Sequence, residues 1–353
     1  MTRNLRLLAS ASVLAATAVA ASPAVAAGTS AGTSGINSVT LDYKVGGVDQ
    51  NQVTASDTFV VDRKVNLTVA EVGNATTTVT PGQSGAVTTF TVTNASNAPL
   101  DFALAASQPS GGTAAHGGTD KFDVTGIKLY GDTNTNGVYD AGTDQVITFL
   151  DQVAADTSRT VFVVADVPLG RATTDVARIK LTATASEATA AGTLGATVTQ
   201  STGANNAAAV DTVFADADTN GNLARDGIHF AEDDYTILAA SLTATKTSRV
   251  ISDPFNGTTN PKMIPGAVVE YCIAVANGAG SATATSINIS DEVPAQTTYD
   301  PAFGIKLNGT VTAGACNADG VSGGSYINGI VSGSLSDIVA GGASTLVFRV
   351  SVK

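Results

Sequence analysis

Ile264-Pro265-Gly266-Ala267-Val268-Val269-Glu270-Tyr271-Cys272-Ile273-Ala274-Val275-Ala276-Asn277 is the stretch that decides how this chain folds. A Pro-Gly turn feeds a run rich in valine, isoleucine and tyrosine, residues that fit a pleated, half-buried surface. Asn277 then closes the run at the next connection. The same plan stands earlier, with Pro81-Gly82 leading to Phe90-Thr91-Val92-Thr93-Asn94. A turn, a β-rich strand and a terminal asparagine, present twice, read as a diverged internal repeat.

Working outward, short strands recur between Gly, Pro and Asn punctuation, the pattern of a sandwich. For the first domain the strands are expected at 65–72, 86–93, 100–106, 122–130, 145–149, 157–164 and 175–185. For the second they are expected at 236–246, 268–276, 284–290, 303–307, 326–330 and 345–352. Threonine, alanine, valine and glycine dominate and tryptophan is absent. Small side chains of this kind suit tight β layers, and the Ala-rich patches are too often broken by Thr and Gly for long helices. The fold class is therefore all-β: two tandem immunoglobulin-like or jelly-roll-type β-sandwich domains with a donor-like strand in front of them.

The domains divide as a signal peptide at 1–27, an N-terminal extension at 28–62, a first sandwich at 63–202, an acidic linker at 203–234 and a second sandwich at 235–353. In the first segment Arg3 and Arg6 precede the apolar run Leu7 to Ala21, and Ala24-Val25-Ala26 supplies a small-residue cleavage pattern. No later run approaches the ~20 apolar residues that span a bilayer. A secreted protein, extracellular or at the cell surface of a bacterium, is the expectation. Formal charge is −12, and two units more negative without Arg3 and Arg6. That balance argues against nucleic acid, whose phosphates need a basic footprint, and against anionic lipid; it would suit divalent cations.

The second domain carries a resemblance. The run from Ile264 to Tyr271, then Ala276-Asn277, Ile289-Ser290-Asp291, Val293-Pro294-Ala295, and the end from Ala340 to Val352 are similar to the immunoglobulin-like bacterial surface repeat catalogued as domain of unknown function eleven. That resemblance implies tandem modules on secreted and envelope proteins, with no catalytic residues to carry over. It also implies one further strand, which the chain lacks after Lys353. Ser34-Gly35-Ile36-Asn37-Ser38-Val39-Thr40-Leu41-Asp42-Tyr43 resembles that strand at the opposite end of the protein.

Two ends therefore invite each other. Val39, Leu41, Tyr43 and Val45 alternate with polar residues, and with Ile36 they form the expected strand donor. Leu346, Phe348, Val350 and Val352 form the expected acceptor, a last strand left with an open edge. Head-to-tail donation between copies of this chain is the leading reading. A monomeric adhesin or stalk, whose N-terminal strand folds back on its own chain, is the alternative.

Two acidic loops carry metal-ligand spacing. Asp132, Asn134, Asn136, the Val138 carbonyl and Asp140 stand at positions one, three, five, seven and nine around Gly137; Thr143 stands at position twelve, where a closing carboxylate is wanted, and Asp144 follows directly. Asp216, Asp218, Asn220 and the Asn222 carbonyl copy the start of that plan around Gly221, with Asp226 further on. Structural Ca2+ takes six to eight such oxygens; an Asx-rich turn without metal is the competing reading. Cys272 and Cys316, in an exported chain, are expected to pair as a disulfide, with two buried free thiols as the alternative.

Enzyme chemistry lacks residues. His116 and His229 are the only histidines and neither neighbours a cysteine in sequence. A zinc site wants converging His or Cys ligands. Asp291 and Asp300 as a glycosidase pair would be a weak signal in so acidic a chain.

Overall fold

The computed structural model describes residues 28–217 and 221–353, so the signal peptide expected at 1–27 lies outside the described residues. The protein is all-β, as its composition requires, and forms two sandwiches with a separate N-terminal ribbon.

In the first sandwich one sheet runs, in spatial order, through Gln145–Val146, Thr125–Gly131, Thr157–Asp166, Ala86–Asn94 and Leu67–Glu71. The facing sheet runs through Phe149–Val153, Leu100–Ser107, Val176–Ala188, Ile228–Ile237 and Thr77–Val79. Each strand sends alternate side chains inward. Phe90, Val92, Phe102, Ile179, Leu181 and Tyr235 meet in the core.

This corrects the domain boundary. Residues 203–234 are not a linker. Thr212–Phe214 pairs in parallel with Arg63–Val65, and Ile228–Ile237 pairs with Val176–Ala188 from Thr184↔Ile228 to Val176↔Thr236. His229, Ala231, Asp233, Tyr235 and Ile237 are the buried alternate positions of that strand. Two of the five are polar, which hides the period from a hydrophobicity reading. The strand expected at 236–246 is correspondingly two strands, Ile228–Ile237 in the first sandwich and Leu242–Ser252 in the second.

The second sandwich has one sheet ordered Leu242–Ser252, Val268–Asn277, Ala343–Val352, Ile305–Gly309 and Val321–Ser322, faced by Ile287–Glu292, Ile330–Leu335 and Ser325–Ile327. Phe348, Leu346, Val350, Val269 and Val331 fill the space between them. The expected acceptor edge is overturned here. Ala343–Val352 is an interior strand, paired with Val268–Asn277 on one side and with Ile305–Gly309 and Thr297–Tyr299 on the other. Leu346, Phe348 and Val350 are fully buried and Val352 is half-buried. The last strand in sequence is thus inserted in the middle of its sheet, and the edges fall elsewhere.

The repeat seen in the sequence has a physical basis. Asn94 is buried and its Nδ2 donates to the carbonyls of Ala98 and Val153, while its Oδ1 accepts from Ser96 N–H. Asn277 is buried in the same way, donating to Ala282 and Ile338 and accepting from Ser241. In both sandwiches one amide ties the strand end to the connection after it and to a second segment, satisfying backbone groups that no ladder reaches. Cys272 and Cys316 are disulfide-bonded. The bridge closes over Ala274 and Val347 on the outer face of the larger sheet.

Candidate functional site

Residues 34–60 form an antiparallel ribbon. Ser34–Leu41 pairs with Val53–Val60 along its whole length, from Ser34↔Val60 to Leu41↔Val53. A short tip ladder, Lys44–Val45 with Val48–Asp49, closes it around Gly46 and Gly47, both at positive φ as such a turn requires. Its base is tied to the first sandwich through Ala31 N–H to Asn97 O and Asn97 Nδ2 to Asp62 O.

The ribbon has two unlike faces. One carries Val39 beside Ala55, Leu41 beside Val53, Asn37 beside Asp57, and Phe59 opposite Gly35. A Cβ at Gly35 would lie 2.4 Å from Phe59 Cζ, so glycine is what lets the ring lie across the strand. The other face is Ser34, Ser38, Thr40, Thr54, Ser56 and Thr58, with Ile36 and Val60. The expected donor set is thereby divided. Val39 and Leu41 share a face; Ile36 points the opposite way, because it stands an odd number of residues from them. Tyr43 and Val45 lie beyond the strand, which ends at Leu41. Val53 and Phe59 were missed, although Val53, Ala55 and Phe59 alternate in the sequence as Val39 and Leu41 do. Val39, Leu41, Val53 and Phe59 are 61%, 55%, 50% and 54% exposed.

A cleft lies in the second sandwich, between Leu242–Ser252 at the edge of the larger sheet and Ile287–Glu292 at the edge of the smaller one. It holds about 470 Å3 and is lined by Leu242, Ala244, Ile273, Val275, Ile287 and Ile289. One end is closed by Lys246 Nζ on Asp291 Oδ1 at 2.6 Å. Asp291, once weighed as a catalytic acid, is held in that ion pair instead.

The first acidic loop connects Thr125–Gly131 to Gln145–Val146 and wraps on itself. Asp132 accepts from the N–H groups of Asn136 and Gly137, and buried Asp144 accepts from those of Thr133 and Asp140. Asn136 Oδ1 accepts from Val138 N–H. Asp140 Oδ2 receives the side-chain amides of Asn134 at 2.9 Å and Asn136 at 2.7 Å, and these donors hold its carboxyl below the usual range. The two amides and the Asp140 carboxylate face one another, and a flip of each amide would present oxygens in place of donors.

In the second loop Asp218 and Asn220 lie outside the described residues. Both oxygens of buried Asp216 accept backbone N–H groups, from Asp226 and Gly227. Asn222 exchanges side-chain bonds with the backbone of Phe230, and Asp226 accepts from Ile228 N–H. These described residues hold the turn that leads into Ile228–Ile237.

The structure also assembles a group that sequence separation concealed. Glu71, His116 and Asp233 bring one ligand-type atom each to within 4.8 Å of one another. Glu71 ends the strand Leu67–Glu71, His116 lies on a loop, and Asp233 is a buried position of Ile228–Ile237. Burial, with Glu71 and Asp234 adding negative charge, raises the Asp233 carboxyl to about 7. His229 is not part of the group: its Nδ1 accepts from Val69 N–H, and burial lowers its pKa.

The molecule is thus a two-sandwich β protein with a projecting ribbon and an open cleft. No protein-family model and no curated protein matches the chain. Three solved structures align over most of it. One titled BspA_C_mut is 11% identical over 81% of this chain and 90% of that one, with a TM-score of 0.32. The collagen adhesin CNA from S. aureus is 14% identical over 83% and 84%, with a TM-score of 0.21. The CupB6 tip adhesin from Pseudomonas aeruginosa is 10% identical over 90% and 88%, with a TM-score of 0.25. Likeness this slight says nothing of what this chain does.

Proposed function

We propose that this protein is a non-enzymatic structural subunit, secreted or held at a bacterial surface, whose copies join head to tail by β-strand addition. The ribbon of one copy enters the cleft between Leu242–Ser252 and Ile287–Glu292 of the next. The observation that carries this reading is the exposed apolar face of a ribbon built from this chain's own strands, together with an apolar cleft bounded by two strand edges. An added strand satisfies edge N–H and C=O groups while its side chains cover the apolar floor.

The two surfaces match in order. Along the ribbon face the pairs Leu41/Val53 and Val39/Ala55 are followed by Asn37/Asp57. Along the cleft, Leu242 and Ala244 are followed by Lys246 on its ion pair with Asp291. Apolar meets apolar, and Asp57 comes to Lys246. In this register the strand Ser34–Leu41 runs antiparallel to Leu242–Ser252. A joint of this kind uses different patches on the two copies, so it propagates unless its rotation closes a ring.

The test is sedimentation velocity on the full chain. Wild type is expected to form a concentration-dependent ladder, and Val39→Asp with Leu41→Asp to stay monomeric, since a charge on the inserted face is left buried. Ala244→Arg, in the cleft, is expected to do the same. Mixing the two variants should yield a single heterodimer joint, because each retains what the other lacks. Wild type that stays monomeric at high concentration would sink the proposal. Assembly by Ala244→Arg alone would retain the ribbon and reject the cleft.

As part of the same reading, the Asp132 loop takes Ca2+. With Asn134 and Asn136 flipped, it offers Asp132, both amide oxygens, the Val138 carbonyl and Asp140, with Asp144 bracing the backbone. Binding to the native state alone stabilises by mass action, roughly 2.7 kcal/mol at a hundredfold excess over Kd. Ca2+ added to chain freed of metal is expected to raise the melting temperature, and Asp132→Ala to abolish that rise. A melt indifferent to millimolar Ca2+ excludes the site.

A further inference from the structure

Glu71, His116 and Asp233 lie on three segments of the first sandwich, and their ligand-type atoms gather within 4.8 Å of one another. His116 Nε2 stands 3.4 Å from Asp233 Oδ1 and 3.8 Å from Glu71 Oε2. A tetrahedral ion bonded at ~2.0–2.2 Å to nitrogen and oxygen sets its ligands ~3.3–3.6 Å apart. His116 Nε2 is buried and makes no hydrogen bond to either carboxylate. We infer that these three residues bind a transition dication of the Zn2+ type.

Each of the three residues is tied to the chain around it by a backbone N–H bond. Glu71 accepts the N–H of Asn74 on both oxygens, at 2.9 Å each. Asp233 Oδ1 accepts Asp234 N–H at 2.7 Å. The His116 backbone N–H donates to Asp234 Oδ2 at 2.8 Å. A second observation comes from Asp234 itself. It is fully buried, it rests on the His116 loop, and its Oδ1 has no hydrogen-bond partner. Two carboxyl groups thus face one imidazole and a third lies against its backbone, a gathering of acidic groups that a dication offsets.

The donor set selects the ion. One imidazole nitrogen and two carboxylates suit Zn2+ or Mn2+, whereas Ca2+ prefers oxygen throughout and six to eight ligands. Glu71 and His116 also line a cavity of about 490 Å3 shared with Asn74 and Phe230. That opening leaves space for water, or a carboxylate of another molecule, to complete the coordination.

The test uses the full chain without an affinity tag, stripped by chelator and titrated calorimetrically with Zn2+, then with Mn2+ and Ca2+. One Zn2+ per chain is expected, with a rise in melting temperature and an absorption-edge spectrum of one imidazole and oxygen scatterers. His116→Ala should weaken Zn2+ binding by at least about 100-fold, since loss of outer partners alone costs about 10–100-fold. Asp132→Ala should leave Zn2+ binding unchanged, which separates this site from the Ca2+ loop. Glu71→Gln serves if His116→Ala does not fold, as judged by circular dichroism. Absence of Zn2+ uptake by folded wild type would overturn the inference. Undiminished uptake by the His116 and Glu71 variants would overturn it equally.

Discussion

Asn277→Leu is expected to destabilise the second sandwich by roughly 2–6 kcal/mol, because a polar group left unpaired costs about 1–3 kcal/mol and two lose this partner, Ala282 O and Ser241 N–H, while Ile338 O keeps Ala284 N–H. Leucine resembles asparagine in shape but removes both donors that now reach Ala282 O and Ile338 O, and the acceptor of Ser241 N–H. Asn277 itself is 2% exposed. Denaturant unfolding followed by far-ultraviolet circular dichroism measures the loss. Asn94→Leu should cost a similar amount in the first sandwich, where the amide serves Ala98, Val153 and Ser96. A loss below about 0.5 kcal/mol, the range of ordinary surface substitutions, would show that these amides are not structural ties.

Removal of the disulfide is the second large effect. Cys272 and Cys316 are 44 residues apart in sequence, and closing a loop of that length stabilises by about 3–4 kcal/mol in the chain-entropy description. Cys272 lies on Val268–Asn277, and Cys316 on the small ladder of Ala315–Cys316 with Val311–Thr312. That ladder has little apolar surface of its own, so the crosslink is what fastens it over Ala274 and Val347. Cys272→Ala and Cys316→Ala should lower stability by equal amounts, since each deletes the same bond, and the double variant should add almost nothing. Unequal losses would point to packing of one side chain as the greater contribution. Unreduced intact mass should fall two hydrogens short of the reduced mass.

Local chemistry accounts for much of what could be read directly. Alternation in Ala86–Asn94, Val268–Asn277 and Ala343–Val352, opened by Pro-Gly turns in the first two and by Gly341-Gly342 in the third, marks these strands, because the side-chain period in a strand is two whatever the sheet around it. The matching ends at Asn94 and Asn277 reflected one physical device used twice. The cysteine pairing followed from there being only two.

Partner choice was a different matter. Ala343–Val352 is last in the chain yet central in its sheet, since pairing follows packing across sequence distance and not chain order. Residues 228–234 fall in the expected linker because His229 and Asp233 occupy inward positions where an apolar residue marks a strand, and only the pairing with Val176–Ala188 discloses them. Ile36 counted with Val39 until the pleat placed them on opposite faces. The cleft beside Leu242 and the junction of Glu71, His116 and Asp233 depend on side chains 45 to 162 positions apart coming together. By itself the sequence determined which segments are strands and which cysteines can join. The tertiary structure alone decided edges, faces and convergent ligands, because these are set by long-range pairing that no local period records.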